Sequence, residues 1–126
     1  MARLRFRPHP SSSRLEERFQ RLWAEAGGPP LEREFRFHPE RRWRSDFAHL
    51  PSRSLIEIEG GIWILGRHNR AGGFNADLEK YLEASLDGWR VFRLGSEQIT
   101  FPVIVRLVAA VTHDSDQAKP VEVPGA

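Results

Sequence analysis

Asp46, Glu57 and Glu59 are the residues whose type and spacing could do chemistry. Glu57 and Glu59 stand two apart in the stretch Ser54 to Glu59, where Leu55, Glu57 and Glu59 alternate with Ser54, Ile56 and Ile58. A strand of period two puts both acids on one face. Asp46 lies in a second short strand, Trp43 to Ala48, closed by Pro51. If the two strands form a hairpin, Asp46 approaches that same face. Ionised carboxylates within a sheet lose hydration and repel one another, so they need compensation. Mg²⁺ or Mn²⁺ held by these hard oxygens would supply it, and such an ion can polarise a phosphodiester and activate a water. The spacing is met equally by acids lining a solvated sheet face, with Arg36, Arg44 or Arg53 as cross-strand partners.

The elements that must position these acids are legible in the periodicity. Ser13 followed by Glu16 makes a capping-box signature, and Leu15, Phe19, Leu22 and Trp23 form one apolar stripe, so a helix is expected over 13–26, stopped by Gly27, Gly28, Pro29 and Pro30. Each residue turns the helix by about 100°, which leaves Glu16 at the edge of that stripe and Glu17 nearly opposite it. Only Glu16 can lean over a sheet. Glu34 to His38 alternates as a first strand, ahead of the two acid-bearing strands. Gly60 and Gly61 mark a bend before Ile62 to Leu65, and a loop rich in Gly, Arg and Asn follows from Gly66 to Gly73. Leu78, Tyr81, Leu82, Ser85 and Leu86 then predict a second helix with that stripe buried, which turns Lys80 outward to solvent. Trp89 to Leu94 predicts a fourth strand, and Pro102 to Val111, begun by Thr100, a last helix. Short turns between the first three strands imply antiparallel pairing, and the strand, helix, strand passage implies a parallel crossover. The expectation is an α/β fold in αβββαβα order, a mixed sheet with flanking helices. The four Trp residues fall at core or strand positions, which favours packing over base stacking.

Composition narrows the chemistry. The 126 residues suit one domain, expected over 13–112, with a basic arm before it and a polar tail from His113 onward, both expected to be flexible. There is no Cys, which excludes disulfides, thiolate nucleophiles and Cys-ligated zinc. The apolar stretch Phe101 to Val111 contains Pro102 and Arg106 and is too short to span a bilayer, and the N-terminus lacks the apolar core of a signal peptide. A soluble cytoplasmic protein with no membrane partner is expected. Net charge is only +2, but Lys occurs at just Lys80 and Lys119 and the remaining basic residues are Arg. Arg forks suit phosphate, although an Arg-rich composition also marks GC-rich or heat-adapted sources.

The succession Trp43-Arg44-Ser45-Asp46-Phe47-Ala48, Ile56-Glu57-Ile58-Glu59-Gly60-Gly61, Gly66-Arg67-His68-Asn69-Arg70, Asp77-Leu78-Glu79-Lys80-Tyr81 and Gly88-Trp89-Arg90-Val91-Phe92-Arg93 resembles small phage and bacterial endonucleases of the PD-(D/E)xK superfamily. The branches it is similar to include very-short-patch repair nucleases and archaeal-type Holliday-junction resolvases. The resemblance implies a restriction-endonuclease-like fold, Mg²⁺-dependent (or Mn²⁺-dependent) hydrolysis of DNA and, among resolvases, a homodimer acting on branched DNA in the cytoplasm, the host's if the chain is phage-encoded. It assigns metal binding to Asp46 and Glu57. Glu59 stands where the family motif usually ends in Lys; it could hold a second metal, bind a metal-bound water or act as a base. Glu16 matches an acid on the first helix of resolvase-like relatives, although it could equally just complete the capping box. His68 matches a His used as base or water ligand, or is an exposed loop residue. Arg44, Arg67, Arg70 and Lys80 are the expected DNA contacts. Acting on mismatched or intact duplex, or binding DNA without cutting it, are the alternatives the same motifs allow.

Overall fold

The computed structural model describes residues 13–60 and 71–116, with side chains described outside 71–74 and 114–116. The basic arm, the Ile62 to Leu65 segment, Arg67, His68, Arg70 and the end of the tail lie outside the described residues. The element order is α1 (Arg14–Glu25), β1 (Glu32–Arg36), β2 (Arg44–His49), β3 (Ser54–Ile58), α2 (Ala71–Leu86), β4 (Arg90–Leu94), a short 3₁₀ turn (Ser96–Gln98) and α3 (Phe101–Asp116). The strands form one mixed sheet in the order β1-β2-β3-β4, antiparallel at β1/β2 and β2/β3 and parallel at β3/β4. This is the α/β architecture that the periodicity predicts. No helix among the described residues is long and apolar enough to cross a membrane.

The sheet separates two apolar layers. On one face, Phe47, Ile56 and Leu94 pack against Phe19 and Trp23 of α1 and Ile104, Leu107 and Val111 of α3. On the other, Ala48 and Leu55 meet Ala84 of α2, with Phe35, Phe37, Trp43, Trp89 and Val91 around them. β1 supplies both layers through a kink. Glu34 has φ of 48°, an uncommon value for a residue with a Cβ. Regular alternation would send Arg33 and Phe35 to one side; instead the Arg33 guanidinium lies 5.3 Å from the Phe47 ring centre, while Phe35 reaches Trp89 at 5.6 Å on the opposite face.

Helix ends follow local chemistry. Ser13 caps α1, with Glu16 N–H donating to Ser13 Oγ at 3.1 Å and Ser13 N–H to Glu16 Oε2 at 2.8 Å. At the other end Gly27 takes φ of 72°, and Gly28 N–H donates to Trp23 O at 2.9 Å. α2 closes in the same manner at Gly88, whose φ is 87°. There Arg53, in the β2–β3 turn, donates from Nη2 to Asp87 O at 2.7 Å and stacks on Trp89. Two expectations shift. α2 starts at Ala71, so the second half of the anticipated Gly66 to Gly73 loop is helical despite Gly72 and Gly73. α3 runs to Asp116, so the segment from His113 begins as helix rather than as flexible tail.

Gly28 leaves room for Trp23: a Cβ there would sit 2.2 Å from the indole Nε1, which donates to Pro29 O at 2.7 Å. The indole is locked between that bond and the core, so it cannot step aside. Gly28→Ala should cost about 1–3 kcal/mol, and Gly27→Ala about 1 kcal/mol through its backbone alone. Urea denaturation of both variants tests this; an unchanged midpoint for Gly28→Ala would show that α1 can re-seat.

Candidate active site

Asp46 is placed where the β2–β3 ladder ends. The paired positions are Phe47 with Ile56, Ala48 with Leu55 and His49 with Ser54. One step beyond, the Asp46 side chain takes over from backbone pairing, its Oδ2 accepting from Ile58 N–H at 2.8 Å. The carboxylate is thereby fixed against β3, beside Glu57. Glu57 is only 8 % exposed, and its Oε1 accepts from Lys80 Nζ of α2 at 3.1 Å. From α1, Glu16 faces Asp46 within hydrogen-bonding reach while still closing the capping box with Ser13. The two roles for Glu16 are therefore compatible: the cap orients the acid.

Burial dominates the electrostatics. Desolvation raises the Asp46 pKa to about 6; the Ile58 N–H bond opposes the rise and the Glu16 charge adds to it. Desolvation likewise raises Glu57 to about 7, with Lys80 pulling it down and Asp46 pushing it up. Tyr81, next to Lys80 on α2, has its phenol pushed upward by burial and by Glu57.

Glu59 goes elsewhere. Arg93 of β4 donates to its Oε1 through Nε at 2.7 Å and also through Nη2, and the guanidinium stacks on Tyr81 at 4.3 Å. Burial opposes the Arg93 charge, but the Glu59 bond and the neighbouring anionic groups outweigh it, so its pKa is raised. Among the described residues no group of three or more His, Asp or Glu is arranged to hold a metal ion, so the anticipated three-acid cluster with Glu59 is not assembled there. Asp46 and Glu57 remain an adjacent pair. Glu57 Oε2 accepts no hydrogen bond from the described residues. Lys80 supplies the ammonium beside Glu57 and Ile58 N–H meets Asp46, so the pair offers two carboxylates to an added ion. That donor set suits a hard divalent cation, since Mg²⁺ commonly takes one or two carboxylates and completes its shell with water and phosphate.

Lys80 corrects the helix reading. Expected to point into solvent, it is turned inward, whereas Leu78, Leu82 and Leu86 are 52 %, 58 % and 69 % exposed. α2 covers the sheet face that carries Glu57, Glu59 and Arg93 beside the apolar Leu55 and Val91, and it meets the charged part with Lys80 and the apolar part with Ala84. Lys80 is thus the residue whose orientation the leucine spacing concealed, whereas Tyr81 belongs to the expected stripe and Arg93 on β4 was not singled out in the sequence. The missed signal was electrostatic: an acid buried on β3 needs a cation from whatever covers it. Arg44 is exposed and contacts Glu34 at 3.2 Å.

Because both pKa values are raised on folding, the protonated carboxyls are the forms that folding favours. Their stabilising contribution is complete below the ordinary values of 3.8 and 4.5, and is lost as pH rises through about 6 and then about 7. In chelator, the melting temperature should therefore fall between about pH 5 and pH 8. Asp46→Asn, whose amide oxygen still accepts from Ile58, should raise the midpoint at the alkaline end by on the order of 5 °C and have little effect at the acid end. Calorimetry across that range checks this, and a pH-independent difference between the two proteins would show that Asp46 is not held at a desolvation cost.

Compared with known proteins, the chain matches no family, no curated protein and no solved structure.

Proposed function

We propose that this chain is a metal-dependent DNA endonuclease of the PD-(D/E)xK kind, with a restriction-endonuclease-like core, acting on branched DNA as a homodimer. The observation that carries the reading is the Lys80–Glu57 contact beside Asp46. The motif on β3 ends in Glu59 where a Lys is usual, and Lys80 brings an ammonium to the same pair of acids from the covering helix. The substrate preference rests on the motif resemblance and on the small size of the domain.

Asp46 and Glu57 would hold Mg²⁺ or Mn²⁺, with Glu16 behind Asp46. When bound, such an ion polarises the scissile phosphodiester and lowers the pKa of a water bound to it. The protein's own groups do the rest. Ile58 N–H holds the Asp46 carboxylate against β3. Lys80 draws the Glu57 pKa down against the rise that burial causes and places positive charge beside the position where a phosphate would sit, offsetting the negative charge that builds up during hydrolysis. Arg93, stacked on Tyr81, ties Glu59 to β4.

The test uses a four-way junction and a linear duplex, each incubated with the purified protein and Mg²⁺. Junction cutting should exceed duplex cutting. Asp46→Asn and Lys80→Met should each lose on the order of 100-fold or more in rate, while Glu59→Gln keeps most of it. Equal cutting by wild type and Asp46→Asn would remove the metal-site assignment. Preference for intact or mismatched duplex would replace the junction reading with a restriction-type or mismatch-nicking one, and DNA binding without any cutting would make the chain an inactive binding module.

A further inference from the structure

The β1–β2 hairpin carries a second charged site, separate from the carboxylates. Arg36 and Arg44 are directly paired across β1 and β2, and with Arg42 they line an open cavity of about 390 Å³. Like charges opposed across strands destabilise a sheet. Among the described residues only Arg44 has an acidic partner, Glu34 at 3.2 Å, and that contact occupies one of its five donors. Arg36 and Arg42 have none. Among the described residues, three guanidiniums line the cavity and one carboxylate, Glu34, contacts one of them, an excess of two positive charges that an anion would satisfy.

We infer that this cavity is a phosphate-binding site that grips a backbone phosphodiester of the nucleic-acid strand. Guanidinium forks match phosphate oxygens bidentately, and three of them converging from two strands and their connection can enclose one phosphate. Position favours a polymer over a free ion. Arg44 stands two residues before Asp46 on β2, about 7 Å along the strand, which is close to the rise of two nucleotides in one DNA strand. A strand whose reacting phosphodiester lies at Asp46 and Glu57 therefore offers a neighbouring phosphate to the hairpin. This inference rests on the endonuclease reading for its partner, but not for its chemistry.

Binding of a short DNA duplex, measured in chelator so that nothing is cut, tests it across a range of salt concentrations. The double variant Arg36→Ala/Arg42→Ala should bind at least tenfold more weakly, and the slope of log K against log salt should fall by about one, as expected for loss of one phosphate contact. Arg36→Lys/Arg42→Lys should restore the slope while recovering affinity only in part, because a lysine cannot fork. Arg18→Ala/Arg21→Ala removes the same charge from exposed positions on α1 and should leave the slope unchanged. Circular dichroism of each variant confirms that the fold is kept. Equal losses from the α1 and hairpin variants would overturn the site, as would an unchanged slope in the hairpin variant. Inorganic phosphate that binds at these arginines while duplex does not would overturn the polymer assignment. A wild-type protein that cuts nothing, yet loses salt slope in the hairpin variant, would remove the catalytic reading and leave this site in place.

Discussion

Taking Asp46 and Glu57 out of water is the constraint on which the other features of the site depend. Two carboxylates side by side in a sheet are costly, and each neighbour can be understood as a response. Ile58 N–H meets Asp46 where the ladder runs out. Lys80 meets Glu57 from above. Arg93 removes Glu59 from the group, so that a third acid on β3 does not add its repulsion at full strength. None of these cancels the cost, because both pKa values remain raised.

The same constraint explains why α2 is built inside out. A helix crossing between parallel strands ordinarily lays its leucines on the sheet. Here the sheet face beneath it carries Glu57, Glu59 and Arg93 alongside the apolar Leu55 and Val91, and the helix presents Lys80, Tyr81 and Ala84 inward and leaves Leu78, Leu82 and Leu86 outside. β3 is also where the sheet changes from antiparallel to parallel pairing. Its end therefore faces a hairpin on one side and a crossover on the other, and the site draws residues from both.

What could be read from the sequence was whatever depends on neighbours along the chain. The Ser13–Glu16 cap, the period-two strands, the short turns and the long crossover fix the element order and the pairing directions, and they put Asp46 beside Glu57. What escaped depends on partners distant in sequence. The leucine spacing on α2 is a sound local signal that a nonlocal electrostatic demand overrides. The kink at Glu34 is likewise invisible locally, because Glu carries no preference for left-handed backbone; it is imposed by Arg33 and Phe35 having to serve opposite layers. The pairing of Glu59 with Arg93 spans the crossover, and nothing near Glu59 in the chain announces it.

The capping box at Ser13 ties these observations to the way the site comes together. Closing a contact costs more chain entropy the farther apart its partners lie in sequence. Ser13 with Glu16 and the β2–β3 hairpin that joins Asp46 to Ile58 are local, whereas the Lys80–Glu57 contact closes over the whole crossover. The acids are thus brought together by short loops and their ammonium by a long one, so the docking of α2 draws on electrostatics as well as on apolar burial.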